Sequence, residues 1–461
     1  MNQKTIKNSA TISGIGIHTG VHTNLTLLPA KENTGIRFIR TDLEGKPTIP
    51  ANVDYVFSTN RSTNLRANNA EIHTVEHILA SIVAEGIDNI IIEVDNMEIP
   101  ILDGSSIQFS DLIITAEVQE LSAKRKFFEI KRKISFTDPV SGTTFTATPA
   151  EAYQVEVEID YNSKTLGAQT ATLDNLSAFK ENIASSRTFC FLHELEQLLE
   201  HNLIKGGDVN NAIVVVEEEI SDKKLNTLAK AFNKTDIKVE EGGILNNLKL
   251  RYENEPARHK LLDVIGDLSL LGLPIKGKIT ASKPGHKNNT EFAKYLKNIM
   301  IEENKKIAPE IDFSTPPMYD REKIMSILPH RDPFLFIDEI RELESDFIIG
   351  TKFVTADEDY FKGHFPGEPV MPGVLQLETM AQAGGVLILS TVENPENYLT
   401  FFMKIDNAKF KKKVIPGDTI IFRLNLISPI RRGLCHMHGK GFVDGKIVVE
   451  ADLLAQIAPK K

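Results

Sequence analysis

Apolar and polar residues follow a similar order in two successive stretches of the chain, residues 1–125 and 126–300. In the first stretch, residues 23–29 alternate with the period of two that is typical of a strand, and residues 89–94 form an apolar run typical of a buried strand. Residues 75–84, between them, have helical spacing. The second stretch repeats this mixture of strands and a helix. We therefore predict an α+β protein with two similar sheet-plus-helix domains that face each other.

Local signals predict the boundaries of these elements. Thr74 is the predicted N-cap of the first helix, which should end before Gly86. In the second stretch, alternating or apolar runs predict strands at residues 127–130, 153–159, 212–216 and 276–282. The sequence identity between the two stretches is weak, so the predicted repeat is one of element order.

The pattern changes after residue 300. Residues 301–317 combine a charged run with prolines, which is typical of an exposed connector between domains. In residues 318–461, a short helix is predicted at 321–328 and a long one at 373–389, with closely spaced strands following. The long helix is apolar almost all round and should be buried on every side. The simplest structure that covers it is a sheet wrapped around the helix.

A polar stripe marks another predicted helix, which begins near Pro256. His259, Asp263 and Asp267 recur every four residues and therefore share one face of this helix. An imidazole and a carboxylate one turn apart can bind the same metal ion, and the second carboxylate can orient a neighbouring group. The alternative is the solvated polar face of an ordinary amphipathic helix.

Composition narrows the class of protein. A chain of 461 residues predicts roughly three domains of ~150 residues, and 41% hydrophobic with 25% charged residues is typical of a soluble globular protein. The formal net charge of −10 argues against a nucleic-acid partner. Two distant cysteines, no apolar signal segment and no long apolar run predict a cytoplasmic protein with at most peripheral membrane contact.

A second histidine fragment, His-Thr-Val-Glu-His at residues 73–77, strengthens the metal hypothesis. His77 would join His259 and Asp263, and two imidazoles with one carboxylate leave a fourth position for water, as in catalytic zinc sites. Glu76 is placed to take a proton from that water. The alternative for Glu76 is a carboxylate that caps the first turn of its helix.

A third histidine, His286, follows Lys-Pro-Gly and is predicted to lie in a loop. Asp267 is a candidate for holding His286 in its protonated form. The alternative is a surface loop histidine without a role in the site.

Six motifs, in order, resemble the UDP-3-O-acyl-N-acetylglucosamine deacetylases, the zinc amidases of lipid A synthesis. They span about residues 1–300 and lie at residues 17–20, 74–77, 98–105, 187–189, 258–263 and 283–286. The resemblance implies one zinc ion per deacetylase unit, bound by His77, His259 and Asp263. It also implies that Glu76 is the general base.

The same resemblance implies roles for residues around the zinc ion. His286, oriented by Asp267, would be the cationic partner of the oxyanion or the leaving amine, and Thr188 would help to hold the oxyanion. Lys260 and Lys283 would face polar groups of the substrate.

The resemblance further implies a small insert at about residues 189–216 that lines a passage for the acyl chain. Phe191 would contact substrate in this passage. Tyr161, near the uridine, and Cys190, in the insert, replace residues that are common in this family.

The C-terminal stretch resembles the (3R)-hydroxyacyl-[acyl-carrier-protein] dehydratases. The resemblance spans about residues 318–461, and its motifs lie at residues 328–335, 363–367, 371–382 and 414–418. It implies a hot-dog fold, in agreement with the buried helix. No cofactor is implied for this domain.

Dehydration needs one group to remove the C2 proton and another to assist loss of the 3-hydroxyl. His364 and Glu378 match this pair, and Gly373 would offer its N–H to the thioester carbonyl. The alternative for Glu378 is a buried carboxylate whose hydrogen bond comes from Gln382, one turn further on.

The two resemblances together predict a bifunctional enzyme whose partners are a UDP-linked acyl-glucosamine and acyl carrier protein. We expect a homodimer through the dehydratase domain, with a trimer of dimers as a further step of assembly. The alternative is a zinc amidase for another acylated amino sugar, fused to a hot-dog thioesterase or a module that binds acyl carrier protein.

Overall fold

A computed structural model describes the chain except for residues 195–210, 219, 222–224, 227, 230–236, 241, 246–248, 305–307, 429, 432 and 461. The predicted insert at 189–216 and connector at 301–317 therefore lie partly outside the described residues. The chain divides into two compact units, Met1–Met300 and Ile301–Lys461. None of the helices in the described ranges combines the length and apolar character that a membrane crossing requires.

The first half of the N-terminal unit is a sheet covered by helices. Its elements are β1 (Asn2–Ile6), β2 (Ala10–Ile15), β3 (His22–Pro29), β4 (Ile36–Arg40), β5 (Thr48–Pro50), β6 (Val56–Ser58), β7 (Asn64–Ala67), β8 (Ala70–Ile72), α1 (Glu76–Ala84), β9 (Ile90–Val94), α2 (Ile107–Thr115) and β10 (Val118–Lys124). Strands β2, β3, β9, β4 and β5 form the main sheet in that order. Alternate residues of β3 are buried, which agrees with its predicted alternation, whereas β9, predicted to be buried throughout, alternates between buried and half-buried residues.

The second half of this unit contains the polar stripe. Its elements are β11 (Phe128–Glu129), β12 (Ile134–Thr137), β13 (Thr144–Thr148), β14 (Tyr153–Ile159), β15 (Gln169–Leu173), α3 (Phe179–Asn182), β16 (Phe189–Phe191), β17 (Ile213–Val215), α4 (Glu255–Ser269), β18 (Ile275–Ser282) and α5 (His286–Asn304). Its main sheet has the order β12, β13, β18, β14, β15. The four strands predicted in this half are present as β11, β14, β17 and β18, although β11 is shorter than predicted.

The two halves have the same topology. In each main sheet the fifth strand in chain order occupies the centre, antiparallel to the second strand and parallel to the third. One helix precedes that central strand and another follows it: α1 and α2 around β9, and α4 and α5 around β18. The predicted α+β class with two similar sheet-plus-helix domains is confirmed.

Helices α1 and α4 pack against each other, and α4 also packs against β14 and β15. Gly266 permits this contact, because a Cβ atom at this position would collide with the main chain of Glu76. Nearly all of α4 is buried, including the three residues of its polar stripe. The solvated-face interpretation of that stripe is therefore wrong.

The C-terminal unit is one antiparallel sheet around a long helix. Its elements are α6 (Arg321–Ile327), β19 (Glu339–Leu343), β20 (Phe347–Phe353), α7 (Gly373–Leu389), β21 (Tyr398–Phe410), β22 (Thr419–Leu426), β23 (Leu434–Val443) and β24 (Lys446–Pro459). The strand order is β19, β20, β22, β23, β24, β21. Helix α7 has its predicted bounds and joins the core through residues such as Met380 and Val386. Gly384 allows this close approach, since a Cβ atom there would lie 3.0 Å from the sulfur of Met437.

Two local predictions are wrong. Thr74 is not the N-cap of α1: it has a φ of 62°, and its hydroxyl donates to Glu98 Oε1 at 3.1 Å. The residue before α1 is Val75, which makes no side-chain capping bond. His286 is not in a loop, because it is the first residue of α5.

Candidate active sites

The seam between α1 and α4 brings three metal-ligand side chains together. His77 comes from α1, whereas His259 and Asp263 come from successive turns of α4, and one ligand atom from each lies within 4.8 Å of the others. The Nε2 atoms of His259 and His77 lie 3.5 and 3.9 Å from Asp263 Oδ1. All three side chains are buried. This is the set that the sequence predicted as metal ligands.

The chemistry of these donors fits a metal ion. Asp263 Oδ1 is buried and is among the side-chain oxygens without a hydrogen-bond partner in the described residues. His259 Nδ1 lies 3.1 Å from the carbonyl oxygen of Ser186, so donation to that oxygen leaves Nε2 as a ligand atom. Burial, with the neighbouring His259, lowers the pKa of His77 to about 3, which favours the neutral form that binds metals.

Lys260 fixes the other oxygen of the aspartate. Its ammonium group donates to Asp263 Oδ2 at 2.8 Å. Burial disfavours the charge on Asp263, but Lys260, His259, His286 and His77 together outweigh burial and hold the pKa of this carboxyl well below its usual value. Oδ1 is therefore an anionic oxygen that faces the two imidazoles.

Glu76 lies beside the three ligands. Its Oε2 accepts a hydrogen bond from the main-chain N–H of Thr63 at 3.0 Å, and its Oε1 lies 3.9 Å from His286 Nε2. The main-chain N–H of Glu76 itself, at the start of α1, also interacts with this carboxylate, so the capping alternative stays open beside the catalytic one. Burial, together with Asp267 and Asp263, raises the pKa of Glu76 to about 8 against the opposing effect of His286.

His286 is oriented by Asp267, as predicted from the resemblance. Its Nδ1 lies 2.9 Å from Asp267 Oδ2, which also accepts from Asn289 Nδ2 at 2.8 Å, and Oδ1 accepts from the hydroxyl of Thr63 at 2.5 Å. Burial disfavours the imidazolium, but Asp267, Asp263 and Glu76 outweigh burial and raise the pKa of His286 to about 9. His286 is buried, so the surface-histidine interpretation is wrong.

Three aromatic side chains form a cluster near the metal-ligand set. The ring of Tyr161 lies 5.7 Å from that of Phe189 and 5.5 Å from that of Phe191, and Tyr161 is 40% exposed. The ammonium group of Lys260 lies 5.7 Å from the Phe189 ring, which connects the aromatic cluster to the metal-ligand set. Cys190 sits between the two phenylalanines on β16, where burial and Glu194 raise the pKa of its thiol to about 12.

Thr188, predicted to help hold the oxyanion, and Lys283, predicted to face the substrate, have described contacts with residues outside the ligand set. Thr188 is held by its main chain, which donates to Gly104 O at 2.8 Å and accepts from Ile213 N at 2.8 Å. Lys283 is 41% exposed and forms an ion pair with Asp160 at 3.3 Å.

The sequence analysis missed residues that support the site. Asn289 follows His286 by three residues on α5, so helical spacing alone would have placed it near Asp267. Thr63 and Ser186 lie outside regular elements, and only the fold brings them to Glu76, Asp267 and His259. Glu98, fully buried, holds the loop at residues 18–19 through bonds from the N–H groups of His18 (3.0 Å) and Thr19 (2.8 Å).

The second candidate site lies around α7. His364 Nδ1 is 2.8 Å from the carbonyl oxygen of Val370, which leaves Nε2 as the reactive nitrogen. Gly373 is the first residue of α7, and a Cβ atom there would lie 2.7 Å from the ring of Phe410. Glu378 Oε1 accepts from Gln382 Nε2 at 3.1 Å. This is the hydrogen bond expected from the alternative in which Glu378 is a buried carboxylate without a catalytic role. Among the described contacts, none joins His364 to Glu378.

Two family models match the chain. The family model described as UDP-3-O-acyl N-acetylglycosamine deacetylase, LpxC, matches residues 3–232 and 223–298. The model of a FabA-like domain matches residues 328–452. The first match contains the metal-ligand set, and the second contains His364 and Glu378.

Relatives extend this likeness to the entire chain. The Bifunctional enzyme LpxC/FabZ of Bacteroides thetaiotaomicron is 46% identical over 462 residues that cover all of both chains. That of Porphyromonas gingivalis is 44% identical over 459 residues, which are all of this chain and 99% of the relative. The UDP-3-O-acyl-N-acetylglucosamine deacetylase of a Psychrobacter species is 35% identical over 301 residues, which are 65% of this chain and 93% of the relative. The chain therefore belongs to the family of bifunctional enzymes that join an LpxC deacetylase to a FabZ dehydratase.

Proposed function

We propose that residues 1–300 deacetylate UDP-3-O-(3-hydroxyacyl)-N-acetylglucosamine and that residues 318–461 dehydrate (3R)-hydroxyacyl-[acyl-carrier-protein] to the trans-2-enoyl product. The observation that carries the first activity is the buried set of His77, His259 and Asp263, with an aspartate oxygen that has no described partner. We propose zinc as the metal, since two imidazoles and one carboxylate are the ligands of many catalytic zinc sites. When bound, zinc polarises the amide carbonyl and makes a water molecule more acidic.

The residues beside the ligands supply the proton transfers of deacetylation. Glu76 takes a proton from water, and its high pKa suits a base that must later release that proton. His286 stays cationic through Asp267 and stabilises the oxyanion or protonates the leaving amine. Thr188 supports the same oxyanion.

Aromatic and cationic side chains hold the rest of the substrate. The half-exposed ring of Tyr161 and the buried ring of Phe191 beside it offer an apolar surface for the nucleoside and the acyl chain. Lys260 and Lys283 face polar groups of the sugar and the diphosphate.

Dehydration needs no cofactor in this proposal. His364 removes the C2 proton through Nε2, and the electrons of that C–H bond form the C2–C3 double bond. The C3–O bond breaks as Glu378 gives its proton to the departing hydroxyl, which leaves as water. The N–H of Gly373 at the start of α7 polarises the thioester carbonyl.

Assembly through the C-terminal unit is supported by an apolar edge strand. β21 ends the sheet, and Phe401, Phe402, Met403 and Ile405 on it are each more than 40% exposed. An edge strand of this kind is a template for pairing with a second copy. We propose a homodimer through β21, able to build a trimer of dimers.

We further propose domain boundaries at residues 1–125, 126–300, 301–317 and 318–461. The repeated topology and the division of the chain near residue 300 support them. Cys190 and Cys435 are free thiols, which supports a cytoplasmic location.

The experiment that tests the bifunctional proposal measures both activities on one purified protein, with and without a chelator. Chelation should abolish deacetylation and leave dehydration unchanged, because the metal-ligand set found in the described part of the chain belongs to the first site. Added zinc should restore deacetylation. Deacetylation that survives complete removal of metal would refute the zinc mechanism.

A second prediction concerns the connector. A protease site introduced at residues 308–317 should, after cleavage, yield two soluble halves that keep deacetylation and dehydration respectively. The same protease site in the connection between β13 and β14, at residues 149–152, is the matched control and should impair deacetylation. A half that aggregates or loses its activity after connector cleavage would show that residues 301–317 belong to a folded domain.

A further inference from the structure

Residues 329–337, which contain the sequence Pro-His-Arg, are hydrogen-bonded to α7, the helix that carries Glu378. Gln382 Oε1 accepts from the N–H groups of Phe336 at 2.7 Å and Ile337 at 3.3 Å. Its Nε2 donates to Phe334 O at 2.8 Å and to Glu378 Oε1 at 3.1 Å. One buried amide therefore fixes both this segment and one oxygen of Glu378.

His330 brings a second nitrogen to the same oxygen. Its ring is parallel to that of Phe334 within 17°, at 6.5 Å between centroids, and its Nε2 lies 3.6 Å from Glu378 Oε1. This is longer than a hydrogen bond, but contacts of catalytic groups shorten when substrate binds. His330 Nδ1 is buried and has no hydrogen-bond partner among the described residues.

These positions favour a neutral imidazole with its proton on Nε2. Nδ1 has no described acceptor for a proton, whereas Nε2 faces a carboxyl oxygen. Burial lowers the pKa of His330, and Arg331 acts in the same direction against the opposing effect of Glu378. Glu378 on α7 and Arg331 on its own segment are the charged groups that act on His330 in the described chain.

We propose that His330 is a positioning residue for dehydration, which together with Gln382 occupies Glu378 Oε1 so that the acidic proton resides on Oε2. Two N–H donors use the lone pairs of Oε1, and only Oε2 can then carry the proton. Oε2 gives this proton to the departing hydroxyl, and the same two donors stabilise the carboxylate that forms. This inference rests on the proposed role of Glu378 as the proton donor.

Two substitutions of His330 distinguish the effect of losing its N–H donor from the effect of losing its packed ring. His330→Phe keeps the ring against Phe334 but has no donor, whereas His330→Gln keeps an N–H donor without the ring. Dehydration by the Phe variant should lose about 10- to 100-fold in kcat with little change in KM, because the lost interaction serves proton transfer. The Gln variant should regain most of that loss. The far-UV circular dichroism spectrum and melting temperature of the isolated C-terminal half of each variant are the control for correct folding.

The split between kcat and KM and the rescue by Gln are readouts that a loss of packing would not reproduce. A Phe variant with wild-type kcat, or a Gln variant no better than Phe, would each overturn the proposal.

Glu378→Gln distinguishes failure of this inference from failure of the proposed function. It should abolish dehydration, and His330→Phe should cause no additional loss in that background. An active Glu378→Gln enzyme would remove Glu378 from its proposed role. An inactive Glu378→Gln enzyme beside a fully active His330→Phe enzyme would overturn only the positioning role of His330.

Discussion

Replacement of Asp263 with Ala should abolish deacetylation and strip the metal from the protein. Asp263 presents a buried anionic oxygen to His77 and His259, with no other described partner for that oxygen. The substitution would remove one of three ligands and leave Lys260 as a buried cation without its counter-ion. We expect bound metal to fall from about one ion per chain to nearly none. Metal analysis by mass spectrometry and an assay of amide hydrolysis measure the two effects.

Asp267→Asn is the matched control on the same helix. Asp267 contacts His286, Thr63 and Asn289, and is not one of the three clustered ligands. This variant should keep its metal but lose most deacetylation, since His286 would lose the anion that keeps it cationic. Dehydration should persist in both variants. An Asp263→Ala protein that keeps both its fold and its metal would refute the ligand assignment.

The parts of the N-terminal site that follow helical spacing could be predicted from sequence. His259, Asp263 and Asp267 are one turn apart, so any helix places them on one face. The sequence could not show that this face is buried, because burial depends on α1 and on the close approach at Gly266. Thr63 and Ser186 were missed for the same reason: their contacts join residues that are distant in the chain.

One of the two wrong local predictions has a clear physical cause. Thr74 has a residue type suited to an N-cap, yet its hydroxyl donates to the buried carboxylate of Glu98, which also binds the loop that carries His18. In this case a contact within the folded unit outweighs local preference. His286 follows Pro-Gly and so was predicted in a loop, although α5 begins at this residue.

The C-terminal unit was predicted more completely because its main sequence pattern, the apolar residues of α7, continues along the entire helix. A helix that is apolar on all sides has few arrangements open to it, and α7 has the bounds that the sequence predicted. The hydrogen bond between Gln382 and Glu378 was also anticipated from their spacing. The approach of His330 to Glu378 was not anticipated, because the strands β19 and β20 separate the two residues along the chain.

Mixing two inactive variants, His364→Ala and Glu378→Ala, should regenerate dehydration. His364 lies in the loop before α7 and Glu378 lies inside α7, and the described contacts do not join them within one chain. The exposed apolar strand β21 supports a partner copy, so each active site would take His364 from one chain and Glu378 from the other.

Random exchange of subunits makes this prediction quantitative. Half of the dimers would contain both variants, and each of these would hold one intact site and one doubly defective site, so activity should approach about a quarter of the wild-type rate. Each variant incubated with itself is the control, and differently tagged subunits verify exchange. As a further control, the double variant is mixed with wild type. The mixture should have less activity than simple dilution gives, but only if the subunits exchange. Absence of recovery despite verified exchange would place both groups in one chain, and the apolar edge of β21 would then need another explanation.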